Sequence, residues 1–303
     1  MTIQIRNAYY IKLGSGGSWE REAIAKGVLL FGYHQTPMEI CKKRDWDAVK
    51  KLWLERRNGS AGAATRDMQQ IRAFHESSEE DVFITIHDNC LHWCRPTGET
   101  WRLEDGRRCR ETIDGWHRDS ITGTQLSTDQ LSGKLLRVQG FRGTICQVGP
   151  KTYLERKING IESPDVLTAR QAEETLIGAN VVLMKQLTWQ DFELLVDLVF
   201  ASSGWRRVGV MGKTQKHVDL ELLLPTTQER GFVQVKASTN QRQFLEYWET
   251  HELSQTFHKM FFVWHTGTVV KPQGCDAHLI GPNDLARMVV DAGLSSWLRD
   301  KVS

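Results

Sequence analysis

The chain has 303 residues and a mass of 34.7 kDa, more than one ordinary core needs, so two domains are expected. Hydrophobic residues make up 40% and charged residues 25%, which excludes a largely disordered chain, and no apolar run approaches the ~18 residues of a membrane-spanning helix. The net charge of +2 hides an asymmetry: residues 1–160 hold 25 Lys+Arg against 20 Asp+Glu, and the remainder 14 against 17, so the excess suited to a polyanion sits in the first half.

The opening MTIQIRNAYYIKLGSGGS lacks a basic segment followed by a long apolar run, so no signal peptide is expected. Six cysteines are scattered without a framework spacing. Both features point to a reducing, cytoplasmic setting.

In the first half, short alternating or apolar runs broken by glycine predict strands over 8–13, 28–33, 82–86, 91–95 and 143–148. Helices are predicted over 19–26, 45–56 and 65–75, the last with Asp67 in its first turn. Tryptophans and repeated glycines in this mixed stretch suggest a small curved sheet or barrel flanked by helices. Residues 161–187 read as a connector carrying one polar helix, 168–177.

The second half changes character. Thr188 caps a helix whose Phe192, Leu195, Val196 and Val199 recur at helical spacing, and Gly204 stops it. Strands follow over 205–210, 218–224 and 231–236. A helix over 241–253, an apolar strand over 260–264 and a closing helix over 286–298 complete an α/β core.

The sharpest chemical signal lies in HVDLELLLP and QVK. Alternation puts Asp219 and Glu221 on one strand face and Gln234 and Lys236 on one face of the next. If the strands pair as a hairpin, a carboxylate, a carboxamide oxygen and an ammonium converge. Such a set suits Mg²⁺, with Mn²⁺ as the other option and Asp219 and Gln234 as ligands. The ion would polarise a phosphodiester and activate water while Lys236 countered charge at phosphorus. Glu193, early in the preceding helix, would add a carboxylate or hold a metal-bound water. His217 would shuttle a proton or simply face solvent, and Glu221 would be a solvated edge charge or part of the cluster.

FELLVDLVFASSGWRRV, DLELLLP and GFVQVKAS together resemble the catalytic core of Mrr-type restriction endonucleases, in the PD-(D/E)xK nuclease superfamily. Gln234-Val235-Lys236 matches the QxK variant of its motif. Over roughly residues 188–265, the resemblance implies metal-dependent DNA cleavage with Glu193, Asp219, Gln234 and Lys236 at the motif positions. Gln215-Lys-His-Val before Asp219 departs from the glycine-rich lead common in that family.

Tyr9-Tyr-Ile-Lys-Leu-Gly, a Gly/Ser turn, Trp19 and Gly27-Val-Leu-Leu-Phe-Gly-Tyr are similar to the start of PUA-like domains, including EVE and YTH modules. The resemblance implies a reader that stacks a modified, flipped base on aromatic faces. Trp19, Tyr33, Trp93 and Trp116 are the candidate walls, with Ser15, Ser18 and His34 as polar contacts. Arg107, Arg108 and Arg110 form a candidate phosphate loop, beside a broad basic region at Lys42–Arg57. The run from His87 to Cys94 is dense in ligand types, but Cys90, His92 and Cys94 on one strand are too linear to wrap a tetrahedral ion, so no structural zinc is expected.

These readings give an α/β (mixed) fold in three parts: a PUA-like curved sheet or barrel with helices over 1–160, a connector over 161–187, and a restriction-endonuclease-like core over 188–303. They imply a modification-dependent DNA endonuclease acting on double-stranded DNA with modified bases, away from the membrane, and a homodimer because one core must cut two strands. An RNA-binding ribonuclease and a catalytically inactive nucleic-acid-binding regulator remain the alternatives.

Overall fold

A computed structural model describes residues 2–208, 219–254 and 257–303. The chain is mixed α/β and divides into two compact units, Met1–Ser163 and Pro164–Ser303. Among the described residues no helix is long and apolar enough to cross a membrane.

In the first unit, β1 (Ala8–Ile11), α1 (Glu20–Lys26), β2 (Val28–Phe31), α2 (Met38–Lys42), α3 (Trp46–Arg56) and α4 (Ala61–Glu76) come first. They are followed by β3 (Val82–His87), β4 (Cys90–Cys94), β5 (Pro96–Arg102), β6 (Arg108–Thr112), α5 (Gly133–Leu136), β7 (Ile145–Gln147) and α6 (Lys151–Asn159). The strands form two open sheets, β4-β3-β1-β7 and β2-β6-β5. Two separate sheets stand where a small curved sheet or barrel was expected, and no barrel closes among the described residues. On β1 the alternation is direct: Ala8 and Tyr10 enter one apolar cluster with Val82, Ile84, Leu91 and Trp93, while Ile11 enters another with Phe31, Phe74 and Phe83.

Local chemistry sets the ends of these elements. Glu20 and Glu22 in the first turn of α1 and Lys26 in its last complement the helix dipole, and Gly27 closes it in the left-handed region. Asp45 caps α3 by accepting from Ala48 N–H at 3.0 Å. Asp88 and Asn89, both at positive φ, turn β3 into β4, as a two-residue hairpin requires. That turn explains the ligand-rich run: Cys90, His92 and Cys94 are inward residues of an edge strand, and all three are buried.

The second unit opens with α7 (Pro164–Met184), longer than the expected polar helix. Its Ile177 and Met184 belong to the core of this unit, so the expected connector is a structural part of it. α8 (Trp189–Ser202) follows, capped by Thr188 Oγ1 accepting from Asp191 N–H at 3.2 Å. Next are β8 (Arg206–Arg207), β9 (Leu220–Leu224), β10 (Glu229–Thr239), α9 (Gln241–Ser254), β11 (Lys259–Gly267), β12 (His278–Ile280), α10 (Pro282–Asp291) and α11 (Ser295–Val302). The expected closing helix is two helices, because Gly293 at positive φ interrupts it.

The sheet order is β12-β11-β10-β9-β8. β9 and β10 pair antiparallel, whereas β10 and β11 pair parallel across α9. Alternation along β10 sends Val233 and Val235 into a core with Phe192, Leu195, Val199 and Leu285. It sends Phe232 to the opposite face, against Phe244, Met260 and Phe262. Each fully buried side chain of this size contributes about 1.5–3 kcal/mol, and this double-sided packing fixes which way Gln234 and Lys236 point.

Candidate active site and base cavity

The antiparallel register pairs Glu221 with Phe232 and Leu220 with Val233. Carried one residue further, it places Asp219 opposite Gln234, just where β9 ends. Here Asp219 Oδ2 accepts from Gln234 Nε2 and, at 2.7 Å, from Val235 N–H. The carboxylate thus takes the ladder position that β9 vacates. Lys236, two residues along on the Gln234 side, rests its Nζ 4.9 Å from the Tyr247 ring centroid on α9.

Burial of Gln234 is nearly complete, at 1% exposure, and its Oε1 has no hydrogen-bond partner. A buried carbonyl oxygen left unmade costs about 1–3 kcal/mol. The protonation of the two acids is also displaced. Burial pushes the Asp219 carboxyl above its ordinary pKa, opposed by Val235 N–H, by Lys236 and by Gln234. Glu193 is pushed up by burial and then by Asp219, while Arg207 and Lys236 pull it down. Glu193, Asp219 and Lys236 therefore lie within electrostatic reach of one another.

Among the described residues no three His, Cys, Asp or Glu groups gather as a metal site. The set here is chemically different: two carboxylates and an amide oxygen. Hard oxygens, one of them buried and lacking a donor, fit a small divalent ion that retains several waters. Glu221 is drawn away, pairing with Arg230. His217 lies outside the described residues.

In the first unit the candidate residues sort differently. Ser15, Trp19, Tyr33 and His34 line one cavity of about 520 Å³ with Lys12, Trp53, Arg57, Arg142 and Thr144. Trp19 has the Arg107 guanidinium 5.3 Å from its ring centroid. A side chain at Gly14 (φ +81°) would come within 2.9 Å of the Trp19 ring, so glycine lets the loop close against the indole. Tyr33 stacks on Phe31 at 5.0 Å, meets Trp53 edge-on at 5.0 Å, and donates its hydroxyl to Asp67 Oδ1 at 2.8 Å. Burial and that carboxylate raise the Tyr33 pKa well above its ordinary value.

Trp93 and Trp116 are not walls of this cavity. They line a separate one of about 850 Å³, and both indole N–H groups are spent on backbone, Trp93 on Asp119 O and Trp116 on Val28 O, each at 2.9 Å. Ser18 stands exposed in the turn before Trp19 and does not line the cavity.

The phosphate loop is also overturned. Arg108 and Arg110 are 1% and 4% exposed because they belong to β6, between β2 and β5, rather than to a loop. Arg108 donates to Gly32 O at 2.8 Å and to the carbonyls of Tyr33 and Thr36. Arg110 donates to Phe74 O and Ser77 O, both at 2.9 Å, at the C-terminus of α4. Arg107 is held by Glu22 and Asp105, each at 2.6 Å. Arg108 instead fixes the 32–36 loop that carries Tyr33 and His34 into the cavity.

The sequence pattern did not expose Trp53 or Arg57 as parts of this cavity, nor Asp67, which holds Tyr33 and Arg57 from the adjoining hollow. Asp67 lies in the second turn of α4, not the first, and Arg57 Nε reaches it at 2.6 Å. The helical spacing of Asp67 among Ala64, Ile71 and Phe74, all buried, was the available signal.

No family model and no curated protein matches the chain. Among solved structures, the chain is similar to one titled "MspJI Restriction Endonuclease in Complex with 27-mer Oligonucleotide". The match has 13% identity and a TM-score of 0.26, covering 79% of this chain and 69% of that one. A likeness of that score does not establish a common fold.

Proposed function

We propose that this protein is a modification-dependent DNA endonuclease whose first unit reads a modified, flipped base and whose second unit hydrolyses the backbone, working as a homodimer on double-stranded DNA. The observation that carries the proposal is the meeting of Asp219 and Gln234 across the β9–β10 register, with Gln234 Oε1 buried and unpartnered and Lys236 on the same strand face. A hydrophobic core has no use for an unmade acceptor there, whereas a metal-dependent hydrolase does.

Asp219 and Gln234 Oε1, with Glu193 within reach, would hold Mg²⁺ or Mn²⁺, which when bound polarises a phosphodiester and lowers the pKa of water. The residues divide the remaining work. Lys236 places a positive charge where negative charge develops at phosphorus, and the Tyr247 face limits where that ammonium can swing. Val235 N–H and Gln234 Nε2 hold the Asp219 carboxylate in one orientation. Glu193 would add a further carboxylate to the ion or hold one of its waters.

In the first unit, Trp19 and Tyr33 offer stacking faces, and Ser15 and His34 offer edge contacts for the base. The test is incubation of modified phage DNA and an unmodified copy with the full-length chain and Mg²⁺. Cutting confined to the modified DNA is expected, and equal resistance of both would overturn the proposal. Asp219→Ala and Lys236→Ala should each lower cutting by about 10²–10³ or more while leaving DNA affinity within a few-fold. Trp19→Ala should abolish the preference for modified DNA.

A further inference from the structure

Beside the base cavity lie two more hollows. One, of about 440 Å³, shares Tyr33, Arg57, Arg142, Gly143 and Thr144 with the cavity. The next, of about 930 Å³, shares Arg66, Gln70 and Phe141 with that one. Together they make one furrow with α4 as one wall and residues 141–147 as the other. Gln70 stitches the walls: its Oε1 accepts from Thr144 N–H at 2.6 Å and Ile145 N–H at 2.9 Å. Gly143 sits where a Cβ would strike the Phe141 ring at 2.5 Å and Gln70 Oε1 at 2.7 Å, so glycine lets the two walls close on each other there.

The charge of this furrow is one-sided. Six arginines line it against three carboxylates. Each of the three acids is already engaged: Asp67 by Arg57, Glu76 by Arg72 and Asp81 by Arg6. Arg66 and Arg142 are exposed and have no acid partner among the described residues, and Arg44, also exposed, acts on Glu76 only at a distance, beyond the Arg72 that pairs with it. A solvated basic face explains scattered arginines on a convex surface. It does not explain unpaired arginines gathered along a concave track whose acids are all neutralised.

We infer that this furrow is the track for the sugar-phosphate backbone of the DNA strand whose base enters the Trp19–Tyr33 cavity, with Arg66 and Arg142 as phosphate contacts and Arg44 further along. The inference rests on the base-reading proposal for the position of the strand, and it replaces Arg107, Arg108 and Arg110 as the phosphate-binding set. Its scale is suitable. From Arg66 to Glu76 the wall of α4 runs roughly 15 Å at 1.5 Å per residue, and a DNA strand places a phosphate about every 3.4 Å of axis. Arginine suits the task, since its planar fork meets two phosphate oxygens at once.

The test measures affinity for a fluorescein-labelled unmodified 24-base-pair duplex by anisotropy, with full-length protein in EDTA, across a series of NaCl concentrations. Each lost phosphate contact should lower the slope of log K against log [salt] by about 0.9. Arg66→Gln and Arg142→Gln should each reduce the slope by about one and weaken binding roughly 3–10-fold at moderate salt. Arg66→Lys should keep the slope. Lys134→Gln, on α5 and outside the furrow, should change nothing. A double Arg66→Gln/Arg142→Gln variant with the parent slope would overturn the track, and an unchanged melting temperature shows that any slope change is not unfolding.

The two readings fail separately. Loss of modified-base preference in Trp19→Ala, beside unchanged slopes in the furrow variants, removes the track and leaves the reader. Altered slopes, beside no preference for modified duplex in the parent, remove the reader and leave the furrow as a general DNA-binding surface.

Discussion

Two sets of polar residues buried on central strands behave in opposite ways. In the first unit, Arg108 and Arg110 spend their Nη donors on backbone carbonyls, six in all including Gly98 O. In the second, Gln234 uses its amide N–H on Asp219 and leaves its carbonyl oxygen unmade. Both look alike as charged or polar letters inside an apolar strand. The arginines close loops and a helix end around themselves, and what remains unpaired in each is only Nε. The glutamine gives its N–H to an acid and leaves its acceptor unmade, on the strand face that also carries Lys236. On the proposed reading, satisfaction of the polar atoms, more than burial, separates scaffold from chemistry.

That contrast can be broken most forcefully at Arg108. Arg108→Gln leaves three loop carbonyls without their buried donor and should destabilise the first unit by about 3 kcal/mol or more. Arg107→Gln, whose ion pairs are partly exposed, should cost under about 1 kcal/mol. Urea unfolding measures both. Equal costs would mean that the 32–36 loop does not depend on the buried guanidinium.

A smaller effect is expected from His75. Burial first, then the charges of Arg108 and Arg110, depress its pKa from 6.5 to about 4. A depressed folded pKa means that the unfolded chain takes up the proton first, so this contribution is complete above about pH 6.5 and is lost as pH falls toward 4. His75→Phe should flatten that part of the melting-temperature profile. A profile as steep as the parent's would show that another group carries the acid sensitivity.

The smallest shift is expected at Asp219. Its folded pKa is raised, so its carboxylate opposes folding once ionised: the stability present below the ordinary carboxylate pKa is lost as pH rises through the raised value. Asp219→Asn should therefore melt slightly higher than the parent near neutral pH, with the gap closing below the carboxylate range, even though cutting is lost. A lower melting temperature for the variant at neutral pH would place Asp219 among structural residues like Arg108 rather than with Gln234.

The sequence alone carried the periodic information. Apolar spacing predicted strands over 28–33, 82–86 and 260–264, found at Val28–Phe31, Val82–His87 and Lys259–Gly267, and the helix capped by Thr188, found at Trp189–Ser202, because periods of two and 3.6 are written locally. The same period put Gln234 and Lys236 on one face of their strand. Local pattern does not say which neighbour a side chain finds, and there the tertiary structure decided. It separated Trp93 and Trp116 from Trp19 and Tyr33, and turned two apparent phosphate-binding arginines into ties for loops and a helix end. It also brought Arg57, Asp67 and Arg142, from three distant segments, to the edge of one hollow. Burial and hydrogen-bond satisfaction depend on contacts between residues far apart in the chain, and no period records those.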